Sequence, residues 1–101
     1  MSTRKHNTDR SGNAWSETKK KEVWNKGAII PGVNSDQFRN DKCGKRMQYS
    51  EHGNRNSING WEIDHINPVS NGGGDEISNL QPLHWANNAD KADKTSWSCP
   101  K

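Results

Sequence analysis

The sequence predicts a small α+β domain in which an antiparallel hairpin packs on a helix, with a basic helical extension at its N-terminal side. Three observations carry this prediction. Lys45 to Tyr49 and Gly60 to Ile66 have the character of short strands and flank a polar loop containing Gly53, Asn54, Asn56 and Asn59. Pro82 to about Asp93 has helical character: proline is tolerated in a first turn, and four-residue spacing puts Trp85 with Ala89 and His84 with Asn88. Only twelve of the 101 residues are Leu, Ile, Val or Phe, a fraction low enough to suggest disorder. Trp15, Trp24, Trp61, Trp85 and Trp97 oppose that, because a few large side chains can build a core that aliphatic residues cannot. A bound metal would stabilise such a core further.

The elements follow in order. Residues 1–12 are polar, lack hydrophobic periodicity and read as a flexible tail that adds only charge. Residues 13–42 form the basic helical extension. Within it, Ser16 to Lys26 favours helix, with Ser16 as N-cap, Glu17 in the first turn and Gly27 placed to end it, anchored by Val23 and Trp24. Pro31-Gly32 marks a turn, and Ser35 is suited to cap a short helical turn over Asp36 to Arg39 that sends Phe38 to the core. Residues 43–95 hold the hairpin and second helix, and 96–101 a C-terminal tail. Strict alternation along Gly60 to Ile66 would send Asp64 and His65 to opposite faces. A shared site therefore requires the strand to end or bend near Ile63, which Pro68 permits. Asn71-Gly72-Gly73-Gly74-Asp75 then reads as a flexible loop.

Charge divides the chain. Residues 1–46 carry eleven Lys or Arg against five acids, and residues 47–101 carry four against seven, within a net charge of +3. A basic front with Lys19, Lys20, Lys21 and Lys26 suits a polyanion, and an acidic back suits a cation; a solvated helix face is the competing explanation of the lysine run. Cys43 and Cys99 belong to no C-x-x-C pair, so no structural zinc site is readable; their spacing leaves a disulfide open, with lone thiols in a reducing compartment the simpler reading. The longest apolar run, Ala28-Ile29-Ile30, is far too short for a membrane span or signal core, so a soluble cytoplasmic protein is expected.

Chemistry concentrates in Asp64 and His65, with Asn79 fourteen residues after His65 and Asn88 nine beyond that. An ionised Asp64 offers hard oxygen to a divalent cation, and Asn88 adds a neutral carbonyl oxygen. Two protein ligands leave positions for water and phosphate, as magnesium prefers. A neutral His65 is suited to take a proton from water, its tautomer fixed by a backbone carbonyl at the other nitrogen. His84 is read as a packing residue and His52 as solvated. Glu62 is assigned either to the surroundings of the metal or to a pair with Arg46.

Cys43 to Lys94 resembles an HNH endonuclease domain. The resemblance rests on Glu62-Ile63-Asp64-His65-Ile66-Asn67-Pro68-Val69-Ser70, on Gly72-Gly73-Gly74-Asp75, on Ile77-Ser78-Asn79-Leu80-Gln81-Pro82-Leu83, and on Asn87-Asn88 with Lys91 and Lys94. It implies a ββα-metal core that clasps one divalent cation and cuts or nicks DNA. By position it implies that Asp64 and Asn88 bind metal, that His65 is the general base and that Asn79 braces the loop bearing it. Asparagine stands at the final histidine position of the motif, which favours Mg2+ or Mn2+ over zinc, with Co2+ or Ni2+ as further candidates. Lacking the zinc-binding cysteine pairs of many relatives, the hairpin and helix must be held by packing of Trp61, Trp85 and Ile63.

The expected activity is thus that of a metal-dependent DNA endonuclease or nickase of low sequence specificity. Lys91, Lys94, Arg46, Lys19, Lys20 and Lys21 are the candidates for DNA-phosphate contact, and a monomer is expected, with a dimer as the alternative. A catalytically idle nucleic-acid-binding module, or a regulatory subunit of a larger DNA-processing complex, is the alternative function.

Overall fold

The computed structural model describes residues 5–100. Helix α1 spans Glu17–Trp24 and starts where predicted: Ser16 Oγ accepts the Lys19 N–H at 3.1 Å. Its Val23 and Trp24 are fully buried against Met47, Trp61, Ile63 and Leu80, with Trp15, Tyr49 and Ile77 packed around them. The Trp24 and Trp61 rings lie 5.0 Å apart. Each indole N–H reaches a carbonyl, Trp24 that of Ser35 and Trp61 that of Tyr49, so burial leaves neither donor unpaired.

Strands β1 (Ala28–Ile29), β2 (Phe38–Asn40) and β3 (Arg46–Gln48) form an antiparallel sheet in that order. Asp36 to Arg39 therefore does not form a capped helical turn. A turn anchored on the Asn34 carbonyl leads straight into β2, and Phe38 is half-buried under the Arg46 guanidinium, 4.3 Å from its centroid.

The second sheet pairs β4 (Trp61–His65) with β5 (Leu80–His84), and α2 (Trp85–Lys91) follows directly. Two expectations change here. The hairpin partner of β4 is residues 80–84 rather than 45–49, and Pro82 stands inside a strand rather than in the first turn of a helix. Pro82 fits because it faces Ile63 at a position whose N–H groups point outward; the outward Ile63 N–H goes instead to Asn7 Oδ1 at 2.8 Å. Other outward groups of the ribbon are also taken. The Trp61 carbonyl accepts from Gly53 N–H, His65 from Lys91, and Leu80 from Lys26, while the His84 N–H goes to Asp41.

Asp41 ties the β2–β3 turn to the start of α2. Its buried carboxylate accepts from the N–H groups of Cys43, Lys45 and His84 and from the Asn87 amide. Beside it, Cys43 is disulfide-bonded to Cys99, which corrects the expectation of lone thiols: the C-terminal segment folds back to the β2–β3 turn. Trp61 and Ile63 hold the ribbon as expected, whereas Trp85 is only half-buried. No helix among the described residues is long and apolar enough to cross a membrane.

Residues 1–4, part of the expected tail, lie outside the described residues. Residues 5–12 do more than add charge, for Asn7 bridges the Ile63 N–H and His52 Nε2, the latter at 3.1 Å. His52 is half-buried on Trp61, ring centroids 4.7 Å apart, rather than solvated. Burial, reinforced by the Lys20 ammonium, lowers its pKa to about 4. The unfolded chain binds that proton near its ordinary pKa of about 6.5, so acid favours unfolding between these values. The His52 contribution to stability is expected to fall by up to about 3 kcal/mol as pH drops from 6.5 to 4, and that contribution to level off below. Urea melts of wild type and His52→Gln across this range check it, the variant losing less.

Candidate metal centre and active site

Strand β4 runs through His65 without the expected break. Period-two alternation sends Glu62 and Asp64 toward α2, where they meet Asn88 and Lys91, and sends His65 toward Trp15 and Asp75. Because His65 is the last residue of the strand, the two faces still meet: Asp64, His65 and Asn88 line one cavity of about 320 Å³, with His6, Asn7 and Arg55 among the other walls.

Asp64 is 5% exposed. Its Oδ2 accepts from Gln81 Nε2 at 2.8 Å and its Oδ1 lies 3.2 Å from Lys91 Nζ. Burial raises its pKa, and Gln81 and Lys91 oppose that rise. Each carboxylate oxygen has a second lone pair beyond these contacts.

Asn88 is oriented by Glu62. Glu62 is fully buried and paired with Arg55 rather than Arg46, through Nε and Nη2, both at 2.8 Å. Burial would push its pKa up, but the Arg55 fork and the Asn88 amide outweigh it and hold the carboxyl below its ordinary value. An ionised carboxylate only accepts, so the Asn88 NH2 group must face it, as the 2.8 Å contact to Oε1 records. That fixes the flip of the amide and leaves Oδ1 as the atom it could offer to a cation.

His65 is 4% exposed and stacks at 5.5 Å on Trp15. Its Nε2 lies 2.8 Å from Asp75 Oδ1, so a carboxylate takes the place of the expected backbone carbonyl. In a neutral ring the proton sits on Nε2 and Nδ1 keeps the lone pair. Asp75 is held in turn by the Arg10 N–H on its carboxylate and by Lys19 Nζ on its carbonyl.

Asn79 knits the loop that follows His65. Its side chain accepts the Asn67 N–H at 2.8 Å and donates to the Asn67 and Gly74 carbonyls at 3.1 and 2.9 Å. The loop closes over Gly73, where a Cβ would stand 1.7 Å from the Asn67 oxygen and 3.0 Å from Asn79 Nδ2. Gly73→Ala is expected to destabilise the domain by about 2 kcal/mol through this clash. A thermal melt checks it, and an unchanged midpoint would contradict the packing described.

The six candidates for phosphate contact are dispersed, and only Lys91 among them is buried. Lys91 is 3% exposed, its ammonium between Asp64 and the His65 carbonyl, so it faces the interior. Lys19 pins Asp75; Lys20 pairs with Glu17; Lys21 lies 3.7 Å from Asp36; Arg46 covers Phe38; Lys94 reaches the Asp90 carbonyl. His84 is structural, as read from sequence: its Nδ1 accepts from Ala86 N–H as the cap of α2, and its Nε2 donates to the Ile58 carbonyl at 2.7 Å.

Among the described residues no three His, Cys, Asp or Glu side chains gather as a metal cage. Among the donors lining this cavity, the Asp64 carboxylate and the oriented Asn88 amide oxygen are hard ligands of the kind that suits a largely hydrated divalent cation. Asp75, Arg55 and Asn7 escaped the sequence reading. Only the period-two spacing of Glu62 from Asp64 signalled a shared face. The family model described as HNH endonuclease matches residues 41–94 of the chain. Comparison with curated proteins and with solved structures gives no match.

Proposed function

Because the chain belongs to the HNH endonuclease family, we propose that it hydrolyses DNA phosphodiester bonds as a divalent-metal-dependent endonuclease or nickase of low sequence specificity. The observation that carries this reading is the single cavity lined by Asp64, His65 and Asn88. Asp64 and Asn88 Oδ1 would hold one cation, Mg2+ or Mn2+ given the oxygen donors, which when bound stabilises negative charge on the phosphate and on the departing 3′ oxygen. His65 accepts the proton of the attacking water at Nδ1, while Asp75 holds the ring in the required tautomer. Asn79 keeps the loop beyond His65 closed, and Lys91 neutralises Asp64 and fixes its rotamer. Phosphate-led contact with DNA, acting as a monomer, would give one nick per encounter.

Incubating supercoiled plasmid with the protein and Mg2+, Mn2+, Co2+ or Ni2+ tests the reading. Nicked circles are expected. Retarded but intact plasmid would instead identify a binding module or a regulatory subunit. A reducing compartment would favour opening of the Cys43–Cys99 bond, so the assay is run with and without dithiothreitol.

A further inference from the structure

We propose that Arg55 is the side chain that grips the phosphodiester within this cavity, held in place by Glu62. The inference rests on the nuclease reading and adds to it the group that binds substrate charge. Among the described residues, Arg55 is the one Lys or Arg lining the cavity that holds Asp64, His65 and Asn88. Of the basic residues singled out by sequence, Lys91 turns into the interior and Lys19 onto the Asp75 carbonyl, and none of the six lines this cavity among the described residues. A site that receives a phosphate needs a cationic side chain at its wall, and Arg55, although paired with Glu62, still has one edge of its guanidinium open there.

The contacts of Arg55 show which part of it is available. Its Nε and Nη2 form a two-point fork on Glu62, while Nη1 has no hydrogen-bond partner among the described residues. The Glu62 side chain is 0% exposed and that of Arg55 is 34% exposed, so the guanidinium is anchored from the protein side and open on the other. A planar guanidinium with one edge occupied still presents N–H donors suited to a phosphate oxygen. The loop that carries it is equally fixed. The Ser57 and Ile58 carbonyls accept from Trp85 Nε1 and His84 Nε2, and a Cβ on Gly60 would stand 1.8 Å from the Asn54 oxygen. Glu62 Oε1 also receives the Asn88 amide, so one buried carboxylate sets the spacing between the phosphate grip and the amide oxygen offered to the cation.

The test compares Arg55→Gln and Arg55→Lys with wild type in three measurements: Mn2+ affinity by calorimetry, plasmid nicking, and the salt dependence of binding to a short duplex without metal. Arg55→Gln is expected to lower kcat/KM about 50-fold and to reduce the slope of log affinity against log salt by about one, with Mn2+ affinity within threefold of wild type. Arg55→Lys keeps the charge and loses the fork, so it should fall between the two; it also serves if the glutamine variant fails to fold. Folded variants that nick within threefold of wild type would overturn the proposal. So would loss of Mn2+ binding in step with loss of nicking, which would make Arg55 purely structural. Should wild type fail to nick at all, the nuclease reading falls, yet the salt slope still decides whether Arg55 contacts phosphate.

Discussion

His65→Ala is expected to reduce plasmid nicking by about a thousandfold while leaving Mn2+ binding within threefold of wild type, since a positioned general base contributes roughly 10²–10⁴ to rate. The separation of the two readouts follows from geometry. His65 turns to Trp15 and Asp75, whereas Asp64 is held by Gln81 and Lys91, so removing the imidazole leaves the carboxylate's partners in place. Asp64→Ala should behave in the opposite way, losing the Mn2+ isotherm along with the nicking. It also strands the Lys91 ammonium in the interior, so its folding must be checked by circular dichroism. Intact nicking by a purified His65→Ala protein would remove the imidazole from the mechanism.

Breaking the Cys43–Cys99 bond is expected to have the largest effect on stability. The bridged residues are separated by 56 positions. Chain-entropy reasoning gives a loop of that length about 4 kcal/mol of stabilisation, a large part of what a small domain possesses. For a chain of about a hundred residues this corresponds to a fall in Tm of roughly 15–30 °C, read by calorimetry on Cys43→Ser or on wild type with reductant. A midpoint unmoved by either treatment would mean that the bond does not form in solution. The loss should be felt first where Cys43 adjoins the Asp41 hub, because Asp41 holds the entry to α2 through His84 and Asn87. Asn88 is the next residue along that helix.

Several local signals were read correctly, whereas the distant pairings were not. Ser16 capping α1, Trp24 and Trp61 in the core, and Asn79 bracing the loop after His65 each depend on residue type and short spacing. The partner of β4 was misread because residues 80–84 contain a proline, which argues against a strand unless its register places it at an outward position; register is a property of the pair. The N-terminal segment was read as a tail because nothing in a polar run announces that Asn7 will meet Ile63, 56 residues away. For the site, the spacing of Asp64, His65, Asn79 and Asn88 pointed to the cavity that three of them line. The inward turn of Lys91 was hidden, since helical spacing assigns a face but not a buried ion pair.

The β4–β5 ribbon has only two strands, so each has an outer edge that would ordinarily invite another chain to add on. Asn7, Gly53 and Lys91 occupy groups along one edge, and Lys26, the imino nitrogen of Pro82 and Asp41 close the other. Strand-by-strand self-association is thereby disfavoured at the ribbon that carries Asp64 and His65. Any assembly able to sever both strands of a duplex at once must bring its two copies together through some other surface, leaving each ribbon to work alone.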